Sequence, residues 1–216
     1  MEVFLQTLVA GILKGGLYAL IGIGMTLIMG VMGIINLAHG QLMMVGMYIT
    51  FVCFHYLGID PYIALFISMP LLFLLGVILQ KYLLNPLMEV ESILPENQVL
   101  MTVGIGMVLT ETARFIFTSD YKSVQTSYSN STFFIGEISF SVTLTIAFFI
   151  AVAFTVGMFW FLLKTDLGRS IRAVAQDKDA ALLMGINSKH ITVITFGIGS
   201  ALMAAAGTLL MPIYYL

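Results

Sequence analysis

Residues 138 to 163 and 191 to 216 contain no charged side chain, while the 26 residues from 164 to 189 hold eight of the chain's 20 formal charges. That alternation limits the fold more than any other feature. Inside hydrocarbon every backbone N–H and C=O must find its partner within the segment or within a closed barrel, and a helix needs about 20 mostly apolar residues to cross. Two such crossings joined by one charged loop place residues 164 to 189 in water at a membrane surface. The remainder of the chain is as greasy: 60% of the 216 residues are hydrophobic and 9% charged, where soluble domains carry roughly a quarter charged residues. The sequence predicts an all-α, polytopic transmembrane helical bundle of about six spans.

The spans come in order. Residues 3 to 29 form the first, with Lys14 beside Gly15 and Gly16 in its middle. Either one long helix carries Lys14 towards a polar interior, or residues 3 to 13 lie along the interface and the span starts near Gly15. Glu2 with no early Lys or Arg is a poor start for a cleaved signal peptide, so the first span is expected to stay. Next, MGVMGIINLAHGQLMMVG at 29 to 46 packs Gly30, Gly33, Gly40 and Gly46 around Asn36, His39 and Gln41. Glycine and polar residues this dense at membrane depth indicate a broken helix or a close helix contact, tolerated only beside protein or a water-filled path. Asn36, His39, Gly40 and Gln41 are therefore the candidates for a translocation path, with His39 also readable as a hydrogen-bond partner between helices, the more frequent role of a lone histidine.

The second span ends near Tyr56, Gly58 to Pro61 turn the chain, and a third span runs from 61 to 80, closed by Lys81. Residues 82 to 97 read as a loop and 98 to 118 as the fourth span, where Glu111 and Arg114, spaced i, i+3, are close enough to form an intramembrane or interfacial ion pair. Residues 119 to 137 read as an aqueous loop, and its Asn130-Ser131-Thr132 matches the glycosylation pattern. The sixth span carries Gly199, Ser200, Ala201, Ala204, Ala205, Gly207 and Thr208, a small-residue packing face.

The charged loop, KTDLGRSIRAVAQDKDAALLMGINSK, has helix signals of its own. Asp177 is a plausible N-cap, and Gly185 with Asn187 supplies a stop. Ile171, Val174, Leu182 and Leu183 form apolar ridges suited to touching another protein. The loop holds five of the nine Lys and Arg residues; the positive-inside rule puts it in the cytoplasm and, five spans back, the N-terminus outside. A net charge of −2 argues against nucleic acid as a partner, and Cys53 alone cannot form an internal disulfide. HExxH, GxSxG, paired-cysteine and GxxxxGK[ST] patterns are absent, so hydrolase chemistry is not expected and an ATP-driven process would need its motor on another chain. An ion-coupled carrier is disfavoured by the lack of a deep acid, Glu111 lying near a cation and a span end.

Several stretches, GGLYALIGIGMTLIMGVMGIINLAHGQLMMVGMY at 15 to 48, TVGIGMVL at 102 to 109, LGRSIRAVAQDKDAALLMGIN at 167 to 187 and TFGIGSALMAAAGTLL at 195 to 210, resemble the inner-membrane permeases of the branched-chain amino-acid class of ABC importers. The resemblance covers nearly the whole chain. Asp179, Ala180, Ala181 and Gly185 are similar to the permease coupling motif E-A-A-x-x-x-G, with aspartate for glutamate and without the later I-x-L-P.

The resemblance implies one permease domain over 1 to 216 in a bacterial or archaeal cell (inner) membrane, with no cofactor on this chain and ATP on a partner subunit. The implied partners are cytoplasmic ATPases, a second permease and an extracytoplasmic binding protein. A short helix around 178 to 184 would dock on the ATPase, with Arg169, Arg172 and Asp179 at the rim and Ala173, Asp177, Ala180, Ala181 and Gly185 shaping the loop. The implied solute is a branched-chain or related neutral amino acid, alternatively urea or a short amide. Family members continue for several spans, so the chain is expected to lack the C-terminal ones.

Overall fold

The structure, a computed structural model, describes residues 2–33, 35–88, 95–118, 120–126, 128–129, 131–135 and 138–214. Helix α1 (Glu2–Met32) is followed by α2 (His39–Leu57), α3 (Pro61–Leu79), a π-helical turn (Gln80–Leu84), α4 (Asn85–Met88) and α5 (Pro95–Phe117). A two-stranded antiparallel hairpin, β1 (Thr132–Ile135) and β2 (Ile138–Ser141), precedes α6 (Val142–Lys164), α7 (Asp166–Gln176), α8 (Lys178–Leu183) and α9 (Ser188–Leu210). Among the described residues six helices are long and apolar enough to cross a membrane, as the run lengths predict.

Helix α9 is the axis of the bundle. In its most apolar stretch 83% of residues are buried, against 17–39% for the other five spans. In lipid, helices gain nothing by hiding apolar surface from each other, so association rests on close contact and interhelical hydrogen bonds. Both are present. A Cβ added at Gly46 of α2 would lie 2.7 Å from the Ala204 Cα, and one at Gly207 would lie 2.3 Å from the Met43 carbonyl oxygen. On α3, a Cβ at Gly76 would meet Ser200 Oγ at 2.4 Å, and on α1 one at Gly24 would lie 3.3 Å from the Gly199 oxygen. The small residues of α9 are buried around its whole circumference, Ala201 to Ala206 without a break, rather than along one face. A buried hydroxyl knot adds polar cohesion: Thr50 Oγ1 donates to Thr208 Oγ1 at 2.8 Å, and Ser68 Oγ lies 2.8 Å from the same oxygen, joining α2, α3 and α9.

Three expectations change. Helix α1 is continuous from Glu2 through Lys14, but Lys14 faces outward rather than into an interior. The expected loop at 82 to 97 is helical through Met88 and again from Pro95, because the π turn carries α3 past Lys81; residues 89 to 94 lie outside the described residues. The expected aqueous loop at 119 to 137 includes β1 and leads into β2, its register pairing Phe133 with Phe140, whose rings stack at 5.2 Å. Asn130 of the glycosylation pattern lies outside the described residues.

Gly46→Leu forces overpacking of backbone against backbone and should destabilise the bundle by about 1–3 kcal/mol or more. Gly104→Ala, where an added Cβ meets nothing within 4 Å, should leave it unchanged. Thermal unfolding monitored by size-exclusion chromatography in detergent checks both.

Candidate functional site

The charged segment between α6 and α9 is a compact helical hairpin in which every helix starts on its own cap. Thr165 Oγ1 accepts from Gly168 N at 3.0 Å and donates to the Phe161 carbonyl at 2.7 Å, turning the chain sharply out of α6. The corner admits only glycine at 168, where a Cβ would lie 2.4 Å from the Phe161 oxygen. Asp177 Oδ1 accepts from Asp179 N and Ala180 N at 3.0 and 2.9 Å, the N-cap read from the sequence. Helix α8 ends with Gly185 N donating to Leu182 O and Ile186 N to Ala181 O, and Gly185 sits at φ +84°, a left-handed conformation that favours glycine. Asn187 does not stop α8. Its Oδ1 accepts from His190 N at 3.1 Å and so opens α9. Ser188 Oγ, donating to Lys178 O at 3.4 Å, braces the hairpin against that helix.

The apolar ridges part company. Ile171 and Val174 are buried, packed with the core cluster that includes Leu27, Val31 and Ala181. This corrects the expectation that they face a partner: the apolar stripe of α7 covers the chain's own spans. Leu182, Leu183 and Met184 remain at the tip, 51%, 89% and 83% exposed. Ala173 is half-buried against the core and Ala180 is exposed. Of the charged residues, Arg169 pairs with Asp166 on its own helix, Asp177 is engaged as a cap, and Asp179 is exposed. Arg172 lines a groove between α1, α6 and α7.

The second candidate region is the break between α1 and α2. Gly33, at φ +72°, ends α1. Asn36 Oδ1 accepts from Ala38 N at 2.9 Å, and Leu37 N donates to Thr102 Oγ1 of α5 at 3.1 Å, so the irregular backbone is held by side chains. Asn36 and His39 are buried, yet Asn36 Nδ2 and both His39 ring nitrogens make no hydrogen bond; nor does Gln41 Oε1. Gln41 faces α5, where with Leu37, Val103, Gly106 and Thr110 it lines a cavity of about 290 Å³. Gly40 is exposed. Asn36 and His39 thus point inward, Gln41 towards α5 and Gly40 outward.

Glu111 Oε1 and Arg114 Nη1 form the expected i, i+3 pair at 3.0 Å, on the outward surface of α5. One anchor has no counterpart in the sequence reading. Asp60 caps α3 through Tyr62 N at 2.9 Å and accepts from Tyr128 Oη at 2.6 Å, tying the segment before the β hairpin to α3. Burial, followed by that bond to the Asp60 carboxylate, pushes the Tyr128 phenol up, so it stays protonated. Asp60 immediately before Pro61 was legible as a cap ahead of a proline at the first helical position.

Six apolar helices around a small-residue axis, a helix break lined with polar groups and a braced hairpin outside the spans define a multi-pass membrane permease. The chain belongs to the family described as branched-chain amino acid transport system / permease component, whose model matches residues 7–215. The high-affinity branched-chain amino acid transport system permease protein BraD of Pseudomonas aeruginosa is 32% identical over 227 residues, covering 96% of this chain and 70% of that protein. LivH of Escherichia coli K12, named likewise, is 30% identical over 98% of this chain and 71% of its own length. The probable branched-chain amino acid transport permease protein LivH of Methanocaldococcus jannaschii is 27% identical over 92% of this chain and 64% of its own. No solved structure gives a significant match. Members of this family are transport subunits, not enzymes.

Gly185→Val places a branched side chain in left-handed backbone at a cost of about 1–2 kcal/mol. Hydrogen exchange at Ala181 to Ile186 should accelerate by about tenfold while α9 keeps its protection.

Proposed function

We propose that this chain is the membrane-spanning subunit of an ATP-driven importer for a branched-chain or related neutral amino acid, and that the α7–α8 hairpin is where the ATPase engages it. The observation that carries this reading is the tip. Leu182, Leu183 and Met184 stand exposed, outside the spans, on a helix capped at its start by Asp177 and closed by Gly185. Large aliphatic side chains held rigidly in water suit a partner's groove, each contributing about 1.5–3 kcal/mol when buried. Asp179 and Lys178 at the rim would set register and partner choice more than strength.

The basic excess of residues 164 to 189 favours a cytosolic hairpin and an external N-terminus. Solute would pass near the break between α1 and α2. Buried amide and imidazole groups without partners cost about 1–3 kcal/mol each, and Asn36, His39 and Gln41 leave such groups open to a passing polar solute or its water. A second permease chain and an external binding protein complete the assembly, and the binding protein would set much of the selectivity.

Leu183→Glu together with Asp179→Lys should lower copurification of the ATPase by at least about tenfold and abolish ATP-dependent uptake of leucine into vesicles, with membrane insertion unchanged. Undiminished copurification would overturn the docking assignment; uptake driven by a proton gradient without the ATPase would overturn the importer.

A further inference from the structure

The groove between α1, α6 and α7 combines apolar walls with a basic side chain. Its walls are apolar, formed by Gly22, Leu27 and Gly30 of α1 with Met158 and Leu162 of α6, and they enclose about 490 Å³, within the range of small-molecule sites. Gly22 and Gly30 keep it open, since a Cβ added at either meets nothing within 4 Å. Both α1 and α6 are spanning helices, so the groove lies along the acyl-chain zone of the bilayer. At its end stands Arg172, on the helix that begins just after the span closes at Lys164. Among the described residues Arg172 has no ion pair; the acid on its own helix, Asp166, is held by Arg169.

A second groove of similar size, between α3, α6 and α9, is lined by Phe73, Phe154 and Ile198 among others and by no charged residue. It can take hydrocarbon but cannot choose between headgroups. The first groove can. We propose that it holds an acyl chain of an anionic phospholipid whose phosphate is bound by the Arg172 guanidinium. A guanidinium offers a planar fork of donors that matches phosphate oxygens two at a time, and basic residues beside the ends of spanning helices recognise anionic headgroups. This site depends neither on the identity of the transported solute nor on the ATPase contact, and it assigns Arg172 to the lipid side of the hairpin.

Native mass spectrometry of the purified full chain, titrated with dioleoyl phosphatidylglycerol or dioleoyl phosphatidylcholine, tests it. The wild type should retain one phosphatidylglycerol in about fivefold preference. Arg172→Gln should abolish the preference, Arg169→Gln should keep it, and Arg172→Lys should keep part of it. Gly30→Leu, which fills the groove, should reduce retention of both lipids. Unaltered thermal unfolding of each variant separates loss of lipid from loss of fold. Equal retention of the two lipids by the wild type, or a preference that survives Arg172→Gln, would overturn the proposal, as would displacement of bound lipid by a second copy of the chain.

Discussion

The approach of helix backbones to α9 is the constraint on which the rest of the molecule depends. In a bilayer a leucine against lipid is nearly as content as a leucine against another helix, so a bundle must be held by contacts that lipid cannot imitate. Here these are glycine against backbone at Gly46 and Gly207, glycine against hydroxyl at Gly76, and the shared oxygens of Thr50, Ser68 and Thr208. With α2 and α3 fixed this way, the irregular residues between α1 and α2 can be held beside α5 by Thr102 rather than by regular secondary structure. The unsatisfied polar groups of Asn36 and His39 are costly in the bundle interior, and they sit at the stretch between α1 and α2 where the backbone is irregular.

The same helix serves both ends of the proposed activity. Its first residues, Asn187 and Ser188, complete the hairpin by capping and by the bond to Lys178 O, while its middle packs against α1 and α2 near the break. No flexible joint intervenes between the two regions.

Much of the fold was legible because span length is a physical requirement: runs of about 20 apolar residues appear as helices within a few positions of the expected limits. The caps at Asp177 and Gly185 were equally readable, being local effects. What the residues alone could not supply was direction. An apolar stripe at Ile171 and Val174 announces a buried face, but not whether its own spans or another protein covers it. Likewise the i, i+3 spacing of Glu111 and Arg114 predicted their pairing, and nothing in it fixed their outward placement. The β hairpin was hidden because its strands are four residues each, in a segment whose Ser and Thr content suggested a solvated loop.

Gly168 sets the mechanics of the corner between α6 and α7. With Phe161's carbonyl where a methyl group would otherwise sit, the elbow between α6 and α7 closes on bare backbone, with no side chain to act as a cushion. A displacement imposed on the hairpin tip cannot be absorbed at that elbow. The elbow ties one end of the hairpin closely to α6, the least enclosed of the six spans, as Asn187 and Ser188 tie its other end to α9.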